Sequence, residues 1–262
     1  MISFVGAGPG AADLLTLRGA DRLGRADVVV WASSLVPEEL LDHAAPDARV
    51  HDSAGMTFED VCALYAEHAG RRIVRLHSGD LSLYSALQEQ VDWCLANDRE
   101  FEVVPGVGSL AAASAAVARE LTVPGVAQSV IATRLPGRTT ASMPEREVVA
   151  DFARHRTTMA IYLAGARPEE LRRALLADGE GYLPDTPAAV VVRATWPDER
   201  IHLTTVDDLA ETIRGDGART TILVLVGSAL AGAAPRCLLY DPAYAHGHRR
   251  RSVPGTTSGR PR

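Results

Sequence analysis

The chain has 262 residues, enough for one large or two smaller α/β domains, and its residues are 47% hydrophobic but only 5% aromatic, which suits a Val-, Leu-, Ile- and Ala-rich core around a buried parallel sheet. All 27 basic residues are arginine; without lysine there can be no Schiff base, no pyridoxal-phosphate anchor and no Walker-A loop. The net charge is −6, and since residues 246–262 hold five arginines and no acid, the body carries −6 − 5 = −11, which disfavours general nucleic-acid binding.

Ile2, Phe4 and Val5 predict a buried strand, and V-G-A-G-P-G at residues 5–10 predicts a sharp turn behind it, open to close approach by a ligand. The spacing is G-x-G-x-G where a dinucleotide site requires G-x-G-x-x-G. The next predicted strand, residues 28–31, ends in Ala32-Ser33-Ser34 with no acid to hold a ribose, which argues against NAD. A tight turn without a ligand remains the competing reading of the glycines.

Leu14, Leu15, Leu17, Ala20 and Leu23 recur at helical spacing and complete a βαβ unit. A short helix at 37–45, a strand at 49–51, a helix at 57–69 with Thr57 and Asp60 as a capping box, and a strand at 73–76 follow. That strand runs into His77-Ser78-Gly79-Asp80, and a helix bearing Leu83, Leu87, Val91, Cys94 and Leu95 on one face is expected next. Loops at the carboxyl ends of parallel strands bind ligands, so Gly79 and Asp80 are candidates; Asp80 as a helix N-cap is the competing reading. A strand at 101–104, a turn at Pro105-Gly106 and an alanine-rich helix at 109–119 close the first half.

Residues 121–128 read as a linker, after which the pattern restarts. Strands are expected at 129–133, 159–163, 188–192, 201–204 and 221–226, with helices at 145–154, 168–178 and 206–214. The fold class is α/β, in two α/β domains: 1–120, 121–245, and a basic, disordered tail at 246–262. Cys62, Cys94 and Cys237 are far apart and form no C-x-x-C, so no disulfide framework or zinc site is expected. His246-Gly247-His248 reads as a solvated end, and no metal is expected. With no signal-peptide pattern and no apolar run longer than 222–234, a cytoplasmic protein without a membrane partner is expected. No G-x-S-x-G or H-E-x-x-H occurs, so no catalytic residue is assigned, and positioning of a reactive cofactor is the expected task.

Residues 5–10 with Asp13, Ser78-Gly79-Asp80, residues 105–109, Thr133-Arg134 and Gly137-Arg138 together, in that order, resemble the tetrapyrrole methylases across roughly residues 2–250. Residues 53–56, the A-T-W-P-D-E run at 194–199, and Tyr240-Asp241 with His246, Gly247 and Arg249 resemble one branch of that family. The resemblance implies two α/β domains with a cofactor cleft between them, a homodimer, and S-adenosylmethionine (SAM) as methyl donor to a tetrapyrrole. It carries cofactor contacts onto Pro9, Ser78, Gly79, Asp80, Leu83, Gly108, Ser109, Leu163 and Ala194. Because the substrate is a polycarboxylate, Arg134 and Arg138 are candidates to grip it. The family commonly has threonine at Gly108, and many members carry an acid near Ser33, where the chain faces the tetrapyrrole. Methylation at another macrocycle carbon, and non-catalytic carriage of SAM or a tetrapyrrole, stay open as alternatives.

Overall fold

The computed structural model describes residues 1–136, 141, 143–232 and 236–252. Its first sheet holds β1 (Ile2–Gly6), β2 (Val28–Trp31), β3 (Arg49–Asp52), β4 (Ile73–His77) and β5 (Phe101–Val104) in the order β3-β2-β4-β1-β5, and its neighbouring strands run parallel. Every residue of β1 is buried. Alternating side chains feed two cores: Val5, Val29, Val74 and Leu76 pack with Leu23 and Leu40 on one face. Ile2, Phe4, Val30 and Ile73 pack with Val61, Tyr65 and Cys94 on the other. Full burial of each such aliphatic side chain is worth about 1.5–3 kcal/mol.

The helices of this half are α1 (Leu17–Leu23), α2 (Phe58–Glu67), α3 (Leu87–Ala96) and α4 (Ser109–Ala116). The expected capping box opens α2: Thr57 Oγ1 accepts from the Asp60 amide at 3.2 Å, and Asp60 Oδ2 accepts from the Thr57 amide at 2.9 Å. Tyr65 of α2 donates to Gln90 Oε1 of α3 at 2.7 Å, tying the two helices over the sheet. On the opposite face Arg22 Nε donates to Glu102 Oε1 at 2.5 Å, and Ser3 Oγ reaches the same oxygen at 2.7 Å. One expectation fails here. The helix after β4 starts at Leu87 and not near Leu83, because Tyr84 (φ 55°) and Ala86 (φ 52°) are left-handed and interrupt any helix before them.

The second sheet holds β6 (Val130–Arg134), β7 (Thr158–Tyr162), β8 (Pro187–Val192), β9 (Arg200–Thr205) and β10 (Ile222–Val226) in the order β6-β7-β10-β8-β9. Its helices are α5 (Val149–Ala153), shorter than expected, α6 (Pro168–Leu176) and α7 (Leu209–Asp216). Met159, Ile161, Leu171, Leu175, Val190 and Val224 are buried in this half. The chain divides into two compact units. The first takes in Met1–Val117, Val191–His202 and Ala218–Leu223; the second takes in Ala118–Val190, Leu203–Gly217 and Val224–Arg262. Among the described residues no helix is long and apolar enough to cross a membrane.

Strand order defines where the first unit can bind. From β1 the chain passes through α1 to β2, beyond β4; from β4 it passes through α3 to β5, beyond β1. The connections therefore part company between β1 and β4, and the loops leaving those two strands face the crevice that such a reversal opens.

Candidate functional site

At that reversal the β1–β4 ladder continues past the strand ends through glycine. Ala7 donates to the His77 carbonyl at 2.7 Å, and Gly8 and Gly79 exchange backbone hydrogen bonds at 3.1 and 2.8 Å. Gly8 (φ 84°) and Gly79 (φ 70°) are left-handed, a conformation an L side chain strains to adopt. A Cβ on Gly6 would lie 2.6 Å from Gly106 Cα and 2.9 Å from the Gly79 oxygen. Three loops, those after β1, β4 and β5, thus pack backbone against backbone, with no room for side chains between them.

Asp80 stands at the rim. Its Oδ1 accepts from the Ser82 amide at 2.7 Å and from Ser82 Oγ at 2.6 Å, while Oδ2 has no hydrogen-bond partner among the described residues. Asp80 caps no helix, since α3 begins only at Leu87 behind Ala86. A Cβ on Gly108 would fall on Asp80 Oδ2, so the carboxylate fills the space a threonine side chain would need. Gly108 is the N-cap of α4 without a side-chain cap, which leaves first-turn amides available to a ligand.

A further segment of the same unit closes on the first loop. Trp196 Nε1 donates to the Pro9 carbonyl at 2.9 Å, and the Ala11 amide donates to Thr195 Oγ1 at 3.0 Å. Arg193 lies 4.0 Å over the Trp196 ring and donates from Nε to Asp198 at 2.6 Å, which holds the Asp198 carboxyl below its usual range. Arg193 (φ 50°) and Thr195 (φ 67°) are left-handed, unusual above all for a β-branched residue.

His77 ends β4 with its ring buried. Nδ1 lies 3.0 Å from the Ser85 carbonyl and must carry the proton there, because a carbonyl only accepts. Burial, and after it the Arg75 charge, push its pKa down to about 4. Arg75 donates from Nη1 to Ser53 Oγ at 2.6 Å.

Of the expected cofactor residues, the structure gathers Pro9, Gly79, Asp80, Gly108, Ser109 and Ala194 on these loops of the first unit, with Ser78 and Leu83 beside Asp80 in sequence. Leu163 lies in the second unit after β7, exposed and left-handed at φ 56°. Arg134, the buried last residue of β6, is also in the second unit, and Arg138 lies outside the described residues. Ser33 is exposed after β2, and its N–H and Oγ donate to Asp52 Oδ1 and Oδ2 at 3.1 and 2.6 Å. Those bonds, the hydroxyl's first, hold the Asp52 carboxyl below the usual carboxylate range. The expectation of a serine without an acid therefore misses Asp52, which β3 delivers beside it. Its place at the carboxyl end of a parallel strand was the signal.

Two α/β halves, the first a parallel sheet with glycine loops at a reversal of strand order, define a small-molecule-binding class of fold, and residues 1–210 match the family model of the Tetrapyrrole (Corrin/Porphyrin) Methylases; the chain belongs to that family. It is 40% identical over 255 residues to the cobalt-precorrin-4 C(11)-methyltransferase of Methanocaldococcus jannaschii, covering 95% of this chain and 96% of that protein. It is 42% identical over 253 residues to the precorrin-4 C(11)-methyltransferase of a Sinorhizobium species, covering 95% and 98%. Among solved structures, a cobalamin biosynthetic enzyme, cobalt precorrin-4 methyltransferase, superposes with a TM-score of 0.83 at 40% identity, covering 87% of this chain and 95% of that one. The uroporphyrin-III C-methyl transferase of Thermus thermophilus, complexed with S-adenyl homocysteine, gives 0.72 at 30% identity, covering 88% and 98%.

Proposed function

We propose that the chain is a SAM-dependent methyltransferase that transfers a methyl group to carbon 11 of precorrin-4, giving precorrin-5 and S-adenosylhomocysteine. The observation that carries this reading is the similarity to enzymes named for that reaction over 95% of the chain.

The residues present suit the methyl donor. It bears no phosphate, so neither a lysine nor a dinucleotide spacing is required, and its hydroxyls, ammonium and carboxylate ask for backbone donors and acceptors with one carboxylate. Asp80 Oδ2 is an acceptor without a partner among the described residues, placed for a hydroxyl or an ammonium. The uncapped first turn of α4 offers amides to a carboxylate. Pro9, Ser78, Gly79, Leu83, Gly108, Ser109, Leu163 and Ala194 complete the proposed contacts. When bound, the donor supplies a methyl on a sulfonium, already a good leaving group. The chain then has to align an electron-rich tetrapyrrole carbon with that methyl and keep water out. Arg134 and Arg138 are proposed to hold substrate carboxylates, and Ser33, with Asp52 behind it, to face the macrocycle. The working form is proposed to be a homodimer that binds no nucleic acid.

The test is turnover. Purified protein with SAM should convert precorrin-4 to a product heavier by one methylene and release S-adenosylhomocysteine. Metal-free and cobalt-bearing substrates belong side by side, because relatives named for each are similarly close. Saturable NAD binding, or no turnover of either substrate, overturns the proposal.

A further inference from the structure

We infer that Trp196 is a positioning residue for the methyl donor: its indole N–H sets the plane of the Pro9–Gly10 peptide and so aims the Gly10 amide at an acceptor atom of the donor. The inference rests on the proposed SAM reading and deepens it. A trans peptide is planar, with its C=O and N–H pointing in opposite directions. The Pro9 carbonyl is held by Trp196 Nε1 at 2.9 Å, so the Gly10 N–H must point away from the indole. Gly10 is buried, and its N–H has no partner among the described residues. Buried amides are nearly always satisfied, and one that stands on a cofactor-type loop with no protein acceptor is waiting for a ligand acceptor.

The indole is itself fixed. Arg193 stacks on it at 4.0 Å, Asp198 holds Arg193, and Glu199 Oε2 accepts from the Thr195 amide at 2.6 Å, which maintains the left-handed Thr195. Thr195 Oγ1 takes the Ala11 amide, so the peptides on both sides of Gly10 are anchored to one segment. Gly10 is required to be glycine, for a Cβ there would run into Trp196, 2.7 Å from Nε1. The indole acts through its bond to the Pro9 carbonyl, which is why its role is positioning.

Trp196→Phe keeps the ring and removes the N–H. By calorimetry on the full chain, its Kd for S-adenosylhomocysteine should rise roughly fivefold, the scale of one lost hydrogen bond. The apparent KM for SAM should rise by a similar factor, while the KM for precorrin-4 stays near that of the wild type. A general packing defect would move both constants, and that result overturns the inference. Gly10→Ala gives a second reading that does not depend on the phenylalanine variant folding. Its affinity loss should be smaller in a Trp196→Ala background than in the wild-type background, because the nearer clash partner is gone and only Thr195 Oγ1, at 2.9 Å, remains. Additive losses, or a Trp196→Phe protein that binds like the wild type, overturn the inference. A wild-type protein that binds no S-adenosylhomocysteine at all overturns the SAM reading beneath it.

Discussion

Gly6 owes its identity to space alone. It is not left-handed, yet backbone atoms of Gly106 and Gly79 stand 2.6–2.9 Å from where its Cβ would be, and backbone cannot swing aside as a side chain can. Gly6→Ala should therefore lower stability by about 1–3 kcal/mol, read as a fall in thermal midpoint. Gly55→Ala, with nothing within 4 Å of the added carbon, should stay within about 0.5 kcal/mol of the wild type. Asp80 calls for a finer substitution. Asp80→Asn keeps an acceptor for Ser82 but turns Oδ2, without a partner among the described residues, into a donor, so Kd for S-adenosylhomocysteine should rise roughly tenfold with little change in the melting temperature of the free protein. Equal affinity would place the carboxylate outside the site. The glycines and Asp80 were legible because strand-end position and residue type are local facts. The Pro9–Trp196 pair was not, because it joins residues 187 apart, and of the Ser33–Asp52 pair only the strand-end place of Asp52 was legible, since which strand lies beside β2 depends on the order in which strands assemble.

Among the elements, β4 carries the most unusual chemistry, with Arg75 and His77 on one face of a central strand. The buried His77 titrates near pH 4, against 6.5 for an ordinary histidine. As pH falls below 6.5 the unfolded chain takes up a proton that the folded chain refuses until about pH 4. Stability from this group is therefore full above 6.5, declines between 6.5 and 4, and levels off below. The loss amounts to about 3 kcal/mol at most. His77→Asn, which can still donate to the Ser85 carbonyl, should flatten the slope of melting temperature against pH across that window; an unchanged slope would assign the acid sensitivity elsewhere. Element boundaries were legible where a local signal marks them, as the Thr57–Asp60 box marks α2. They were misread at α3, where Tyr84 and Ala86 adopt left-handed conformations that nothing in their own chemistry favours.

On the scale of the molecule, the run of strands and helices was readable from periodicity, and so was the α/β class. The orders β3-β2-β4-β1-β5 and β6-β7-β10-β8-β9 were not, since apolar strands of similar composition carry no mark of their neighbours. The central place of β1 bears on the time course of synthesis. Its Ile2 pairs with Ile73 and Phe101, 73 − 2 = 71 and 101 − 2 = 99 residues downstream. At about 5–20 residues per second, the ribosome leaves this apolar strand without partners for several seconds at least. Chains stalled before residue 73 should leave β1 open to protease, whereas chains stalled well past residue 104 and clear of the ribosome should protect it. Early cleavage resistance would mean that β1 finds a temporary partner. The glycines that follow β1 thus wait unseated while some seventy to a hundred further residues are made, and the loops after β1, β4 and β5 can meet only once β5 has joined the sheet.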